Sequence, residues 1–129
     1  MDDAANRPDR PAAEQRAAAE RIRAARAEAA ELAANLERQW DAVVAAAAFT
    51  NNDDEHDPEG STLAYERERL TAMRDHVRRE LAGLDRAAER LRDGAYWTCE
   101  RCGGPIAAAR LDARPAARTC IGCAAGARR

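Results

Sequence analysis

The 129-residue chain has no lysine: all 21 of its basic residues are arginine. It also has one Phe, two Trp and two Tyr, and no cysteine before position 99. These shortages exclude a good deal. Five aromatic side chains cannot build a thick globular core. Alanine contributes 34 residues to the 46% hydrophobic fraction, leaving 25 larger apolar residues, and alanine buries little apolar surface. The longest apolar run is Ala42–Phe49, far short of a membrane span, so no membrane association is expected. The opening "MDDAANRPDRP" is acidic and lacks an apolar h-region, so no secretory signal is expected and a cytoplasmic location is. The missing lysine reads as the base composition of a GC-rich genome and carries no mechanism.

What is abundant is alanine, arginine, glutamate and leucine, the composition of long helices and coiled coils. Residues 1–10 read as a disordered tail. From Pro11 to about Ala48 no Pro or Gly intervenes, and Ile22, Ala25, Ala29, Leu32, Leu36, Gln39, Val43 and Ala46 recur at steps of three and four. That is a heptad seam with Gln39 as its one polar position. A second seam runs through Leu63, Leu70, Met73, Val77, Leu81, Leu84, Ala88 and Leu91, with a stutter of two four-residue steps around Val77. Gly94 is placed to end this helix. Two such helices with a short connection predict a mainly α fold: a long antiparallel coiled-coil helical hairpin over 11–93, followed by a small cysteine-bearing domain over 94–129. A three-helix bundle or a dimeric coil is the alternative.

Cys99-x-x-Cys102 and Cys120-x-x-Cys123 are separated by 17 residues. Two tight Cys-x-x-Cys turns close a tetrahedron of thiolates around Zn²⁺, and with four cysteine ligands no coordination position stays open, so the ion is expected to be structural. Gly103 and Gly104 fall where such a knuckle needs positive φ. Two disulfides, a redox dithiol and an iron–sulfur cluster are the competing readings. Tyr96, Trp97, Ile106, Leu111 and Ile121 are expected to pack around the metal. From Cys99 onward six Arg face only Glu100 and Asp112, so this segment carries +4 and the remainder −6. Arg110 and Arg114 are candidates for a docking face; solubility explains such arginines equally well.

The connection between the helices is acidic. Asp53, Asp54, Glu55, Asp57 and Glu59 place five carboxylates within seven residues, near the hairpin tip at 51–60. Asp57 serves as a helix N-cap with Pro58 at the first helical position. That explains Asp57 and leaves Asp53, Asp54 and Glu55 without a structural role. An exposed loop has no pocket to tune carboxylates for acid–base chemistry, so no enzyme is expected.

These stretches resemble the DksA/TraR family of bacterial regulators: "GAYWTCERCGGPI" (94–106), "RLDARP" (110–115), "CIGCA" (120–124) and "EHDPEGSTLAYER" (55–67). The resemblance implies a four-cysteine zinc finger at the base of a helical hairpin and direct binding to RNA polymerase, with the coiled-coil arm in the secondary channel. Its acidic tip would act near the catalytic Mg²⁺ and the zinc end would dock at the channel rim. Asp54 and Asp57 match the two aspartates of the family's Asp-x-x-Asp-x-Ala tip pattern, with Glu59 where that pattern has Ala. Some members act jointly with ppGpp. No sequence-specific DNA binding is expected, because the finger shows neither recognition-helix spacing nor stacking aromatics. A protein adaptor whose hairpin is only a spacer is the second reading.

Overall fold

The computed structural model describes residues 10–49 and 58–126, and over residues 58–61 the backbone alone. Its elements are α1 (Ala12–Phe49), α2 (Pro58–Asp93) and two single-turn pieces, α3 (Ala108–Ala113) and α4 (Ile121–Gly126). Among the described residues there is no strand, only an isolated bridge between Thr98 and Pro105. No helix is long and apolar enough to cross a membrane. The chain divides into two compact units, one of residues 26–83 and one of residues 1–25 with 84–129.

The first unit is a pair of antiparallel helix segments. Leu36, Leu70 and Val77 are its fully buried side chains, and Ala33, Trp40, Val43, Met73 and Leu81 pack against them. The α2 seam follows the sequence expectation, including the stutter Met73–Val77–Leu81. The α1 seam does not. Leu32 and Gln39 are exposed, and Ala33 and Trp40 take their places. The helix takes a four-residue step from Ala29 to Ala33 where a step of three was expected. A straight helix drifts against a strict seven-residue repeat, and a four-residue step resets it. The reset turns Trp40 inward instead of Gln39, which buries the larger apolar surface. Ala33, Val77 and Leu81 belong to one cluster, so the stutters of both helices fall in the same layer.

A polar clasp sits beside this core. Arg74 donates to both carboxylate oxygens of Glu37, Nε to Oε2 at 2.8 Å and Nη2 to Oε1 at 3.1 Å, and its guanidinium lies 4.4 Å from the centre of the Trp40 ring. Two parallel N–H···O bonds plus a stacked ring fix the guanidinium in three directions, which only arginine can satisfy at once. Arg74 holds Glu37 below the usual carboxylate range, chiefly through this hydrogen bonding.

The second unit combines the first turns of α1, the last turns of α2 and the cysteine-bearing segment. Its buried side chains are Ala18, Ile22, Leu84, Ala87, Tyr96, Trp97, Cys99, Ile106 and Leu111. Gly94, at φ +83°, ends α2 as expected. Its N–H donates to Leu91 O at 3.3 Å and the N–H of Ala95 reaches back to Arg90 O at 2.8 Å, the paired bonds of a Schellman cap. Arg10, expected in a tail, instead places its guanidinium 4.3 Å from the centre of the Trp97 ring.

Candidate metal centre

Cys99 and Cys102 lie in the turn that follows α2; Cys120 immediately precedes α4 and Cys123 lies within it. The first turn is built by Gly103, at φ +75°, whose N–H donates to Cys99 O at 3.0 Å, while the N–H of Cys99 donates to Gly104 O at 2.7 Å. Positive φ is needed at Gly103 alone; Gly104 was also expected to require it and does not. The turn aims backbone N–H groups at sulfur. Arg101 N donates to Cys99 Sγ, Gly104 N to Cys102 Sγ and Cys123 N to Cys120 Sγ, each at 3.4 Å.

All four sulfurs lie within 4.8 Å of one another, and Cys102 and Cys120 Sγ are 3.9 Å apart. A tetrahedral Zn²⁺ with bonds of about 2.3 Å has S···S edges of about 3.8 Å. No disulfide joins the four. Donor type, number and spacing therefore fit one structural Zn²⁺ held by Cys99, Cys102, Cys120 and Cys123, and the fit leaves no position open for a substrate. The backbone N–H of Cys102, with those of Cys120 and Arg101 behind it, holds the Cys99 thiol down, at about 6, against the opposing effect of burial. The backbone N–H of Cys123 similarly lowers Cys120. Hydrogen bonding to the Cys120 sulfur pushes Cys123 up to about 12. The cluster thus favours negative charge at Cys99 and Cys120 and keeps a proton at Cys123 until a divalent cation displaces it.

Tyr96, Trp97, Ile106 and Leu111 are buried as expected, and the Tyr96 hydroxyl donates to Pro115 O at 2.9 Å. Ile121 is not: it is 70% exposed at the start of α4. In a helix of one turn, with Cys120 and Cys123 facing the metal, the intervening Ile121 and Gly122 have no inward direction left.

Arginines do more here than charge counting suggests. Arg90, with a side chain only 13% exposed, donates Nη2 to Ala95 O at 2.9 Å and to Thr98 O at 2.8 Å, while its Nε lies 3.5 Å from Glu100. Arg110 donates Nε to Thr119 O at 2.8 Å, fixing the residue before the second cysteine pair. Arg21 on α1 pairs with Asp112 on α3 at 2.8 Å. The sequence reading missed Arg90, Arg21 and Asp112 as site-building residues. The only signal was their position, an arginine in the last turn of a helix and an acid amid a basic segment. Arg114 is exposed just beyond α3, and its backbone N–H donates to Arg110 O. Of the expected tip, Asp53, Asp54 and Asp57 lie outside the described residues, as does the side chain of Glu59.

Residues 94–129 match the prokaryotic dksA/traR C4-type zinc finger. Two curated relatives, both the RNA polymerase-binding transcription factor DksA of Caulobacter vibrioides, from strains NA1000 and CB 15, are 48% identical over 44 residues. That stretch is 34% of this chain and spans only 31% of each relative's length. The solved structure of transcription factor DksA2 from Pseudomonas aeruginosa matches with a TM-score of 0.75 at 22% identity, over 93% of this chain and 89% of that one, a likeness of fold. With this finger, these relatives and this fold, the chain belongs to the DksA/TraR family.

Proposed function

We propose that the chain is a transcription regulator that binds RNA polymerase directly in the cytoplasm, without catalysing a reaction of its own. The zinc finger anchors the base of the hairpin, and the acidic connection between α1 and α2 enters the secondary channel. One observation carries this reading: a dksA/traR-type finger is joined to a hairpin with the fold of DksA2, and relatives of the matched segment are named for RNA polymerase binding.

The physics is compatible with it. Helices of 38 and 36 residues extend about 57 and 54 Å at 1.5 Å per residue, long enough to reach down a channel. Their alanine-rich seam keeps the pair narrow. Asp54 and Asp57, with Asp53 and Glu59 beside them, are the effector carboxylates of this reading, and acidic charge steers the tip toward a basic lining. Arg110 and Arg114 supply docking on the finger, and ppGpp acts, if at all, jointly with the polymerase.

The exposed Ile121 and Arg118 favour a second reading, in which the finger binds another protein and the hairpin is a spacer. One experiment separates them: binding of the zinc-loaded chain to its host's core RNA polymerase, with a transcription assay on the same samples, for wild type and Asp54→Asn/Asp57→Asn. Binding by both with regulation by wild type alone supports the first reading. Regulation unaffected by the double substitution supports the second.

A further inference from the structure

The chain has five aromatic residues, and three are packed: Trp40 against the helix-pair core, Tyr96 and Trp97 beside the finger. The other two stand in water at the same end of the helix pair. Phe49, the last residue of α1, is 89% exposed, and Tyr65 on α2 is 72% exposed. Counting nine residues along each helix from the Glu37–Arg74 pair sets Tyr65 level with Ala46, within the last turn of α1. Tyr65 lines an open groove with Ala64, Glu68 and Arg69.

The same end of α1 is apolar on every side. Ala42–Phe49 contains no charged or polar side chain, yet only Val43 and Ala47 are partly covered, and Val44 is exposed together with Phe49. A helix apolar all round is normally buried, and exposed aromatic groups concentrate at binding sites.

We propose that Val44, Phe49 and Tyr65 form a docking surface that supplies the affinity for a basic, apolar-walled cleft in a protein partner; the inference rests on the reading above, which makes that partner RNA polymerase. Three other occupants are disfavoured by chemistry. Residues 50–57, Thr-Asn-Asn-Asp-Asp-Glu-His-Asp, have no apolar side chain with which to cover the patch. A second copy would bring two sets of five carboxylates together. Nucleic acid and anionic lipid meet the same repulsion. A basic cleft with apolar walls satisfies both the carboxylates and the aromatics. The acidic residues then steer the encounter, and the aromatics, desolvated on contact, hold it.

The test uses the full zinc-loaded chain and core RNA polymerase of its host, comparing wild type with Phe49→Ser, Tyr65→Ser and their combination. Serine matches Phe and Tyr in helix propensity, so circular dichroism should be unchanged. Each single substitution is expected to weaken binding about tenfold through faster dissociation, and the pair to weaken it further. Asp54→Asn/Asp57→Asn is expected instead to slow association and flatten its salt dependence. If wild type binds and the aromatic variants bind equally well, the surface is not the docking site, while the polymerase reading stands. If wild type fails to bind at micromolar concentration, both fall. If sedimentation shows a wild-type dimer that Phe49→Ser dissociates, the occupant is a second copy and the inference is overturned.

Discussion

The guanidinium of Arg90 on α2 donates to the carbonyl of Thr98 at 2.8 Å, one residue before the first zinc ligand. The same Nη2 reaches Ala95 O, and Nε faces Glu100, which follows that ligand. Glu100 in turn donates its backbone N–H to Arg118 O at 2.9 Å, close to the second cysteine pair. One arginine in the last turn of a helix therefore sets the position of the first knuckle, and through Glu100 it bears on the approach to the second. The zinc cluster is oriented by hydrogen bonds as well as by its own ligands.

Replacing Arg90 with Ala should leave at least two carbonyls without a donor and cost about 2–3 kcal/mol of stability. Arg90→Lys keeps the charge but lacks the planar fork, and should fall between the two. Thermal unfolding of the zinc-loaded proteins measures the difference. A Lys variant as stable as wild type would mean that charge alone matters at this position.

Much of this architecture was legible in the sequence because the relevant signals are chemically narrow. Two Cys-x-x-Cys pairs admit few structures, and Gly94 before an aromatic pair marks a helix end. The α2 seam was legible because leucine, methionine and valine fill it. The α1 seam was misread after Ala29 because alanine occupies positions on both sides of it, so steps of three and four fit equally well until Trp40 decides. Ile121 was misplaced because nearness to a ligand in sequence says nothing about direction in a one-turn helix. Arg90 was not foreseen as a clasp because its partners are backbone carbonyls, which carry no sequence signature.

Zinc should be bound at one ion per chain and be needed for the finger's own fold. Chelation, or Cys123→Ser, is expected to strip hydrogen-exchange protection from Ile106 and Leu111, whose burial depends on the closed knuckles. Native mass spectrometry supplies the stoichiometry. A metal-free chain lighter by the hydrogens of two disulfides would refute the zinc assignment.

The Glu37–Arg74 clasp predicts an acid sensitivity located in the helix pair. Glu37 is held below its usual 4.5 by hydrogen bonding to Arg74, so the unfolded chain takes up a proton there before the folded one does. The clasp therefore stabilises fully above about pH 4.5 and loses its contribution as pH falls through the lowered folded value. Glu37→Gln should be less stable than wild type at neutral pH, and the gap should close on acidification. A constant gap from pH 7 to pH 3 would show that the carboxylate's charge contributes nothing.

Gly94 and Gly103 both sit at positive φ, and a Cβ added at either meets no atom within 4 Å. Alanine at each position therefore costs only the backbone strain of a left-handed residue, about 1–2 kcal/mol. The consequences should nonetheless appear in different measurements. Gly103 shapes the turn that presents Cys99 and Cys102, so Gly103→Ala should weaken zinc in a chelator competition. Gly94 shapes the α2 cap, so Gly94→Ala should lower the unfolding temperature of the zinc-loaded protein and leave zinc competition nearly unchanged. Equal loss of zinc affinity in both variants would mean that the α2 cap and the knuckle fold as one cooperative element, with strain at either glycine reaching the metal.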